Sequence, residues 1–119
     1  MKMKNFKINN LNYLEENEKL ALNELKFRLE GLLGYKPTII LYGSKARGDF
    51  DTDSDMDVAI IVESLTKDIK EKILDIVVEI EIKYLTPLST LIFSKDEFER
   101  LKIRERRIAI DIENEGIVI

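Results

Sequence analysis

One stretch constrains this chain more than any other. An apolar run, Thr38–Tyr42, ends in Gly43-Ser44-Lys45-Ala46-Arg47-Gly48; a run of acids then leads into a second apolar run, 58–62. Short β-branched runs bounded by small residues read as buried strands. The order is therefore strand, tight turn, paired carboxylates at the mouth of a second strand. Asp55 and Asp57 are two residues apart, so on an extended backbone they project to the same face. Two carboxylates ~4 Å apart repel by ~4 kcal/mol at an effective dielectric of ~20. Such a pair needs a cation or a shared proton. Magnesium suits it, because that ion prefers one or two carboxylates together with phosphate oxygens.

The turn suits the phosphates. Gly43 lets a backbone approach a ligand without a side chain in the way. Ser44 offers a hydroxyl, and backbone amides of a turn can form an anion-binding concavity. Arg47 can add a charge-assisted contact. This is not a Walker loop, since Gly-x4-Gly-Lys-Ser/Thr is absent. The alternation Asp49, Asp51, Asp53, Asp55, Asp57 is not an EF-hand loop either. Counting from Asp49, Ser54 stands where glycine is needed and Ile60 where glutamate is needed. Nucleoside triphosphate with a divalent ion is the reading that remains.

Composition narrows the chemistry further. The 119 residues contain no cysteine and no histidine, so a thiolate nucleophile, a cysteine metal cluster and an imidazole base are all excluded. Metal-assisted phosphoryl chemistry needs none of them. With 19 basic and 23 acidic residues the net charge is −4, which disfavours direct binding to nucleic acid. The length suggests one domain over residues 1–119. No apolar run approaches the ~20 residues that span a bilayer, and the start of the chain lacks the apolar core of a signal peptide. A cytoplasmic location is the expectation.

Along the chain, residues 1–12 are polar and poorly patterned and are expected to form a flexible arm. Residues 14–33 repeat Leu14, Ala21, Leu22, Leu25, Leu29 and Leu32 at helical spacing, with Gly34 placed as a left-handed cap. After the strand at 57–62, Ser64 or Thr66 can cap a helix with Ile69, Ile73, Val77, Ile80 and Tyr84 on one face. Leu74, Val78 and Ile82 lie on another face of the same helix. An apolar flank this wide suggests a partner surface and leaves a homo-oligomer open. A third strand is expected at 89–93, then a helix opening at Lys95 behind the capping box Ser94-Lys95-Asp96-Glu97 and ending at Gly116. Residues 117–119 are expected as a short edge strand. Arg104, Arg106 and Arg107 read as a solvated helix face. Tyr13, Tyr35 and Tyr84 read as core-edge residues. The order α-β-β-α-β-α-β describes an α+β (mixed α/β) protein, a small mixed sheet with helices packed against it.

Gly43-Ser44, Ala46-Arg47-Gly48, Ser54 and Asp55-x-Asp57 together resemble the motif of the polymerase-beta-like nucleotidyltransferase superfamily. The small size is similar to its minimal nucleotidyltransferase branch. Ser94 to Phe98 and Glu115-Gly116-Ile117 are similar to that branch's C-terminal half. The resemblance implies the superfamily's fold, a nucleotide held by Gly43, Ser44 and Arg47, and Mg2+ held by catalytic Asp55 and Asp57. It implies transfer of a nucleoside monophosphate, AMP from ATP, to a hydroxyl with release of pyrophosphate. It also implies a HEPN-domain partner protein in a toxin–antitoxin pair, with the nucleotidyltransferase as antitoxin and a partner hydroxyl as acceptor. The superfamily usually supplies a third carboxylate from the next core strand. Here Ser89 or Thr90 stands in that place, and Asp96, Glu79 and Glu81 are the acids left to substitute. A protein that keeps the fold but acts by docking on its partner is the alternative.

Overall fold

The computed structural model describes residues 3–48 and 54–119. Asp49, Asp51 and Asp53 of the acidic alternation lie outside the described residues. Five strands form one mixed sheet: β1 (Lys4–Asn5), β2 (Thr38–Tyr42), β3 (Met56–Val62), β4 (Leu88–Ser94) and β5 (Ile117–Val118), in the order β1-β5-β2-β3-β4. β2 runs antiparallel to β3 and β5, while β3–β4 and β1–β5 are parallel. The helices are α1 (Glu16–Leu33), α2 (Ser44–Arg47), α3 (Lys67–Tyr84), α4 (Lys95–Ile103) and α5 (Arg107–Glu115).

The strand alternation divides the core in two. Ile39, Leu41, Val58 and Ile60 face α1 and α3, where Leu22, Leu25, Ile73 and Ile80 are fully buried against them. Ile40, Tyr42, Ala59, Ile61 and Phe93 face the other way, against Phe98 of α4 and Ala109 and Ile112 of α5. Residues 78–82, which alternate like a strand in sequence, are helical, as the pattern before them indicates. Thr66 caps α3 by accepting the Ile69 N–H at 3.1 Å, and Ser94 caps α4 by accepting that of Glu97 at 3.1 Å. Gly34 closes α1 at φ 79°, with its N–H on the Glu30 carbonyl.

Three expectations are corrected. Residues 3–12 are part of the fold rather than a flexible arm: β1 pairs with β5, and Ile8 and Leu11 are buried in the core under α1. As a result β5 is not the sheet edge; it sits between β1 and β2. The single C-terminal helix is two helices. After Ile103 the Arg106 N–H bonds to the Leu101 carbonyl and the Glu105 N–H to the Lys102 carbonyl, with Glu105 left-handed at φ 53°. This is a Schellman closure, which glycine or asparagine ordinarily announces. Glutamate at that position hides it from a sequence reading.

Candidate functional site

The site residues come together at one end of the sheet. Tyr42, the last residue of β2, pairs with Asp57, and Asp57 pairs in turn with Ser89 of β4. Asp57 thus lies between the glycine-serine turn and Ser89, at the end where β2 leaves the sheet and β3 and β4 enter it. Asp57 shares its face with Tyr42 and Ala59, and α4 and α5 cover that face further along. At the sheet's end Asp57 is half-buried, while Asp55 and Ser89 are exposed.

Gly43 is required twice over. Its backbone, at φ 72° and ψ −155°, lies in a region that is essentially closed to residues with a side chain. A Cβ there would also collide with Oδ2 of Asp57 and stand 3.2 Å from its Cγ. The turn and the carboxylate are therefore in direct apposition. α2 follows as a single helical turn. The N–H groups of Ala46 and Arg47 bond back to the Gly43 carbonyl, both at 3.1 Å, and that of Gly48 to the Ser44 carbonyl at 2.8 Å. Those amides close the turn on itself, so the Gly43–Ser44 end is the part left facing Asp57. Gly48 ends the turn at φ 82°.

The electrostatics follow from this packing. Burial raises the pKa of Asp57, and the charge of Asp55 raises it further; the Arg47 guanidinium and a hydrogen bond from the Ser89 hydroxyl oppose the rise. Tyr42 is pushed up to about 12 by burial and by the charge of Asp57, so its hydroxyl stays neutral. Two like charges share the site, and a divalent cation would relieve them. Carboxylate oxygens are hard donors of the type that magnesium takes. Among the described residues no third histidine, cysteine or acid joins them in a metal-binding group.

The acids considered as substitutes lie elsewhere. Glu79 and Glu81 are on α3, across the sheet; Glu79 pairs with Arg28, and Glu81 accepts the Leu88 N–H at 3.0 Å. Asp96 follows the far end of β4, beyond the Val62–Ser94 pair, roughly 17 Å along the strand from Asp57. Thr90 is one residue on from Ser89, so it points to the opposite face of β4. The residue beside Asp57 is Ser89.

Two further residues support the turn. Lys45 is 2% exposed and forms an ion pair of 2.9 Å with Glu18, itself 6% exposed, at the start of α1. Glu18 also accepts the Glu15 N–H at 2.9 Å in the capping box of α1. Glu115, at the end of α5, bonds Arg47 at 2.9 Å. The sequence gives no local signal for either pair, because the partners are far apart in the chain. A cleft of about 450 Å3 opens between the N-terminal segment and the end of α5. Its walls include Ala46 and Glu115 but neither Asp55 nor Asp57.

The family model of the nucleotidyltransferase domain matches residues 13–119. The chain belongs to that family. A protein named "Putative protein adenylyltransferase MJ0141", from Methanocaldococcus jannaschii, is 43% identical over 58 residues. That match takes in 48% of this chain and 59% of the relative, so the chain aligns with little more than half of it. A crystal structure of a "putative nucleotidyltransferase" from Sulfolobus solfataricus superposes with a TM-score of 0.52 at 12% identity, covering 83% of this chain and 76% of that one. The likeness identifies the fold as polymerase-beta-like. No helix among the described residues is long and apolar enough to cross a membrane.

Proposed function

We propose that the protein is a metal-dependent nucleotidyltransferase that moves AMP from ATP to a hydroxyl on a partner protein. The observation that carries this reading is the Asp55/Asp57 pair held against the Gly43–Ser44 turn. Asp55 and Asp57 would hold Mg2+, which supplies positive charge for the triphosphate oxygens. Gly43 and Ser44 would seat the phosphates, and Arg47, anchored by Glu115, would add a cation beside them. The acceptor oxygen bonds to the α-phosphorus as the bond to the β-phosphate breaks, and pyrophosphate leaves. The acceptor's proton passes to a carboxylate or to water, since the neutral Ser89 hydroxyl is a poor base. ATP and a protein acceptor are favoured by the name of the relative, which is called a protein adenylyltransferase. The resemblance to minimal nucleotidyltransferases favours a HEPN-domain protein as partner, with this chain as the antitoxin component acting in the cytoplasm.

The test is transfer of label from ATP labelled at the α-phosphate. Mixing the protein, magnesium and a HEPN-domain protein encoded beside it should label that protein. Asp57→Asn should lower the rate at least ~100-fold, as expected when a group that positions the reacting atoms is lost. No label with wild type, or equal label with the variant, would sink the enzymatic reading.

Ser89 favours a second reading, in which the chain binds nucleotide, turns over weakly and acts by docking. Ser89→Asp separates the two. A gain in magnesium-dependent transfer would place the weakness at the missing carboxylate. Equal neutralisation of the partner by wild type and by the Asp55→Asn/Asp57→Asn double variant would support docking alone.

A further inference from the structure

β4 ends the sheet on the side away from β1, and among the described residues no strand pairs with its outer edge. Edge strands are normally blunted by charge, proline or a bulge. Leu88–Ser94 has none of these: its sequence is Leu-Ser-Thr-Leu-Ile-Phe-Ser, and it pairs with β3 without interruption over seven residues. The N–H and C=O groups of every second residue therefore point outward, unopposed by charge.

The helix above this edge is also uncovered. α3 turns Ile73, Val77 and Ile80 to the sheet. Glu79 and Lys83 lie on its flank toward α1, paired with Arg28 and Glu24. The opposite flank stands over β4, as the bond from the Leu88 N–H to Glu81 shows. There Leu74 is 39%, Val78 51% and Ile82 70% exposed, and Leu85 at the helix end is 85% exposed. At 100° per residue the same flank carries Lys67 and Lys70 in its first half and Glu81 in its second.

We infer that this face joins a second copy of the chain, β4 against β4, across a two-fold axis. An antiparallel pair centred on Leu91 sets Thr90 opposite Ile92 and Ser89 opposite Phe93, with no charge on either strand. The two α3 helices then run antiparallel, placing Leu74 opposite Val78 and Lys70 opposite Glu81. The flank is thus self-complementary in charge as well as apolar at its centre, as a two-fold contact requires. One axis serves both layers. Leu91 is ~10 Å from the start of β4, and the middle of α3 is ~12 Å from the helix end that leads into it. A continuous ten-stranded sheet results, with each Asp57 one strand in from the seam.

Sedimentation equilibrium with the full chain tests the inference. Wild type should be a dimer of twice 13.9 kDa. Leu74→Glu/Val78→Glu should be a monomer with unchanged circular dichroism, since both side chains are exposed. Lys70→Glu alone should weaken the dimer roughly tenfold, and Lys70→Glu/Glu81→Lys should restore it. The inference is overturned by a wild type that stays monomeric at about 1 mM, which would assign the face to a different protein. It is equally overturned by a Leu74→Glu/Val78→Glu variant that remains dimeric, or by higher oligomers in its place.

Discussion

At the scale of single residues, Asp57 is held in a state that costs the fold something. Burial and the Asp55 charge raise its pKa in the folded chain above the unfolded value. Between those two values the folded state binds more protons than the unfolded state, so stability falls as pH rises through the window. Above the window the full destabilisation persists. Asp57→Asn removes the charge and should therefore raise the thermal midpoint of the metal-free protein at pH 7. Below the window, where wild-type Asp57 is protonated, the difference should close. Magnesium with a nucleoside triphosphate should raise the midpoint of wild type and leave that of the variant nearly unmoved, because binding only to the native state stabilises it. Differential scanning fluorimetry across pH, with and without the ligand, reads all of this. A variant less stable than wild type at pH 7 without metal would contradict the assignment.

At the scale of elements, the one-turn α2 is too short to hold its own orientation. The Lys45–Glu18 pair ties it to the first turn of α1, and both side chains are buried. Lys45→Met leaves Glu18 as an uncompensated buried charge, a loss of about 3–5 kcal/mol. Lys45→Met/Glu18→Gln should recover much of it, and denaturant midpoints of the cycle measure the coupling. If the pair positions the turn, the double variant should keep its stability and still show a raised KM for nucleotide. Unchanged kinetics would reduce the pair to a structural tie. These long-range ties are the part of the site that the sequence does not display. Gly43, Ser44, Asp55 and Asp57 are legible because the strand–turn–strand pattern places them within one local unit. Lys45 and Glu115 acquire their partners only when α1 and α5 pack. The same division holds for the elements. β2, α3 and the start of α4 follow from periodicity and caps, whereas the α4–α5 break rests on a left-handed Glu105 that no turn residue announces.

At the scale of the whole molecule, the two ends of the chain build one side of the sheet and so bear on the site. β1 pairs with β5, β5 pairs with β2, and β2 delivers Gly43. β5 is only two residues long and depends on neighbours on both sides. The N-terminal segment was unreadable in sequence because its two buried residues, Ile8 and Leu11, sit among polar ones and show no strand or helix period. Their burial under α1 nevertheless contributes about 1.5–3 kcal/mol each. A chain lacking residues 1–12 should thus lose roughly 3–6 kcal/mol of stability, together with the β1–β5 pairing. The loss should reach the site along a defined route. Unpairing β5 loosens Gly116 and Glu115, and with them the partner of Arg47. Nucleotide affinity should fall in the truncated chain even at temperatures where it remains folded, while Ile8→Ala/Leu11→Ala, which keeps β1, should lose stability with less effect on affinity. Denaturant titration and nucleotide binding of the two variants side by side separate the contributions, and a truncated chain with wild-type affinity would show that the sheet's β1–β5 side does not support the site.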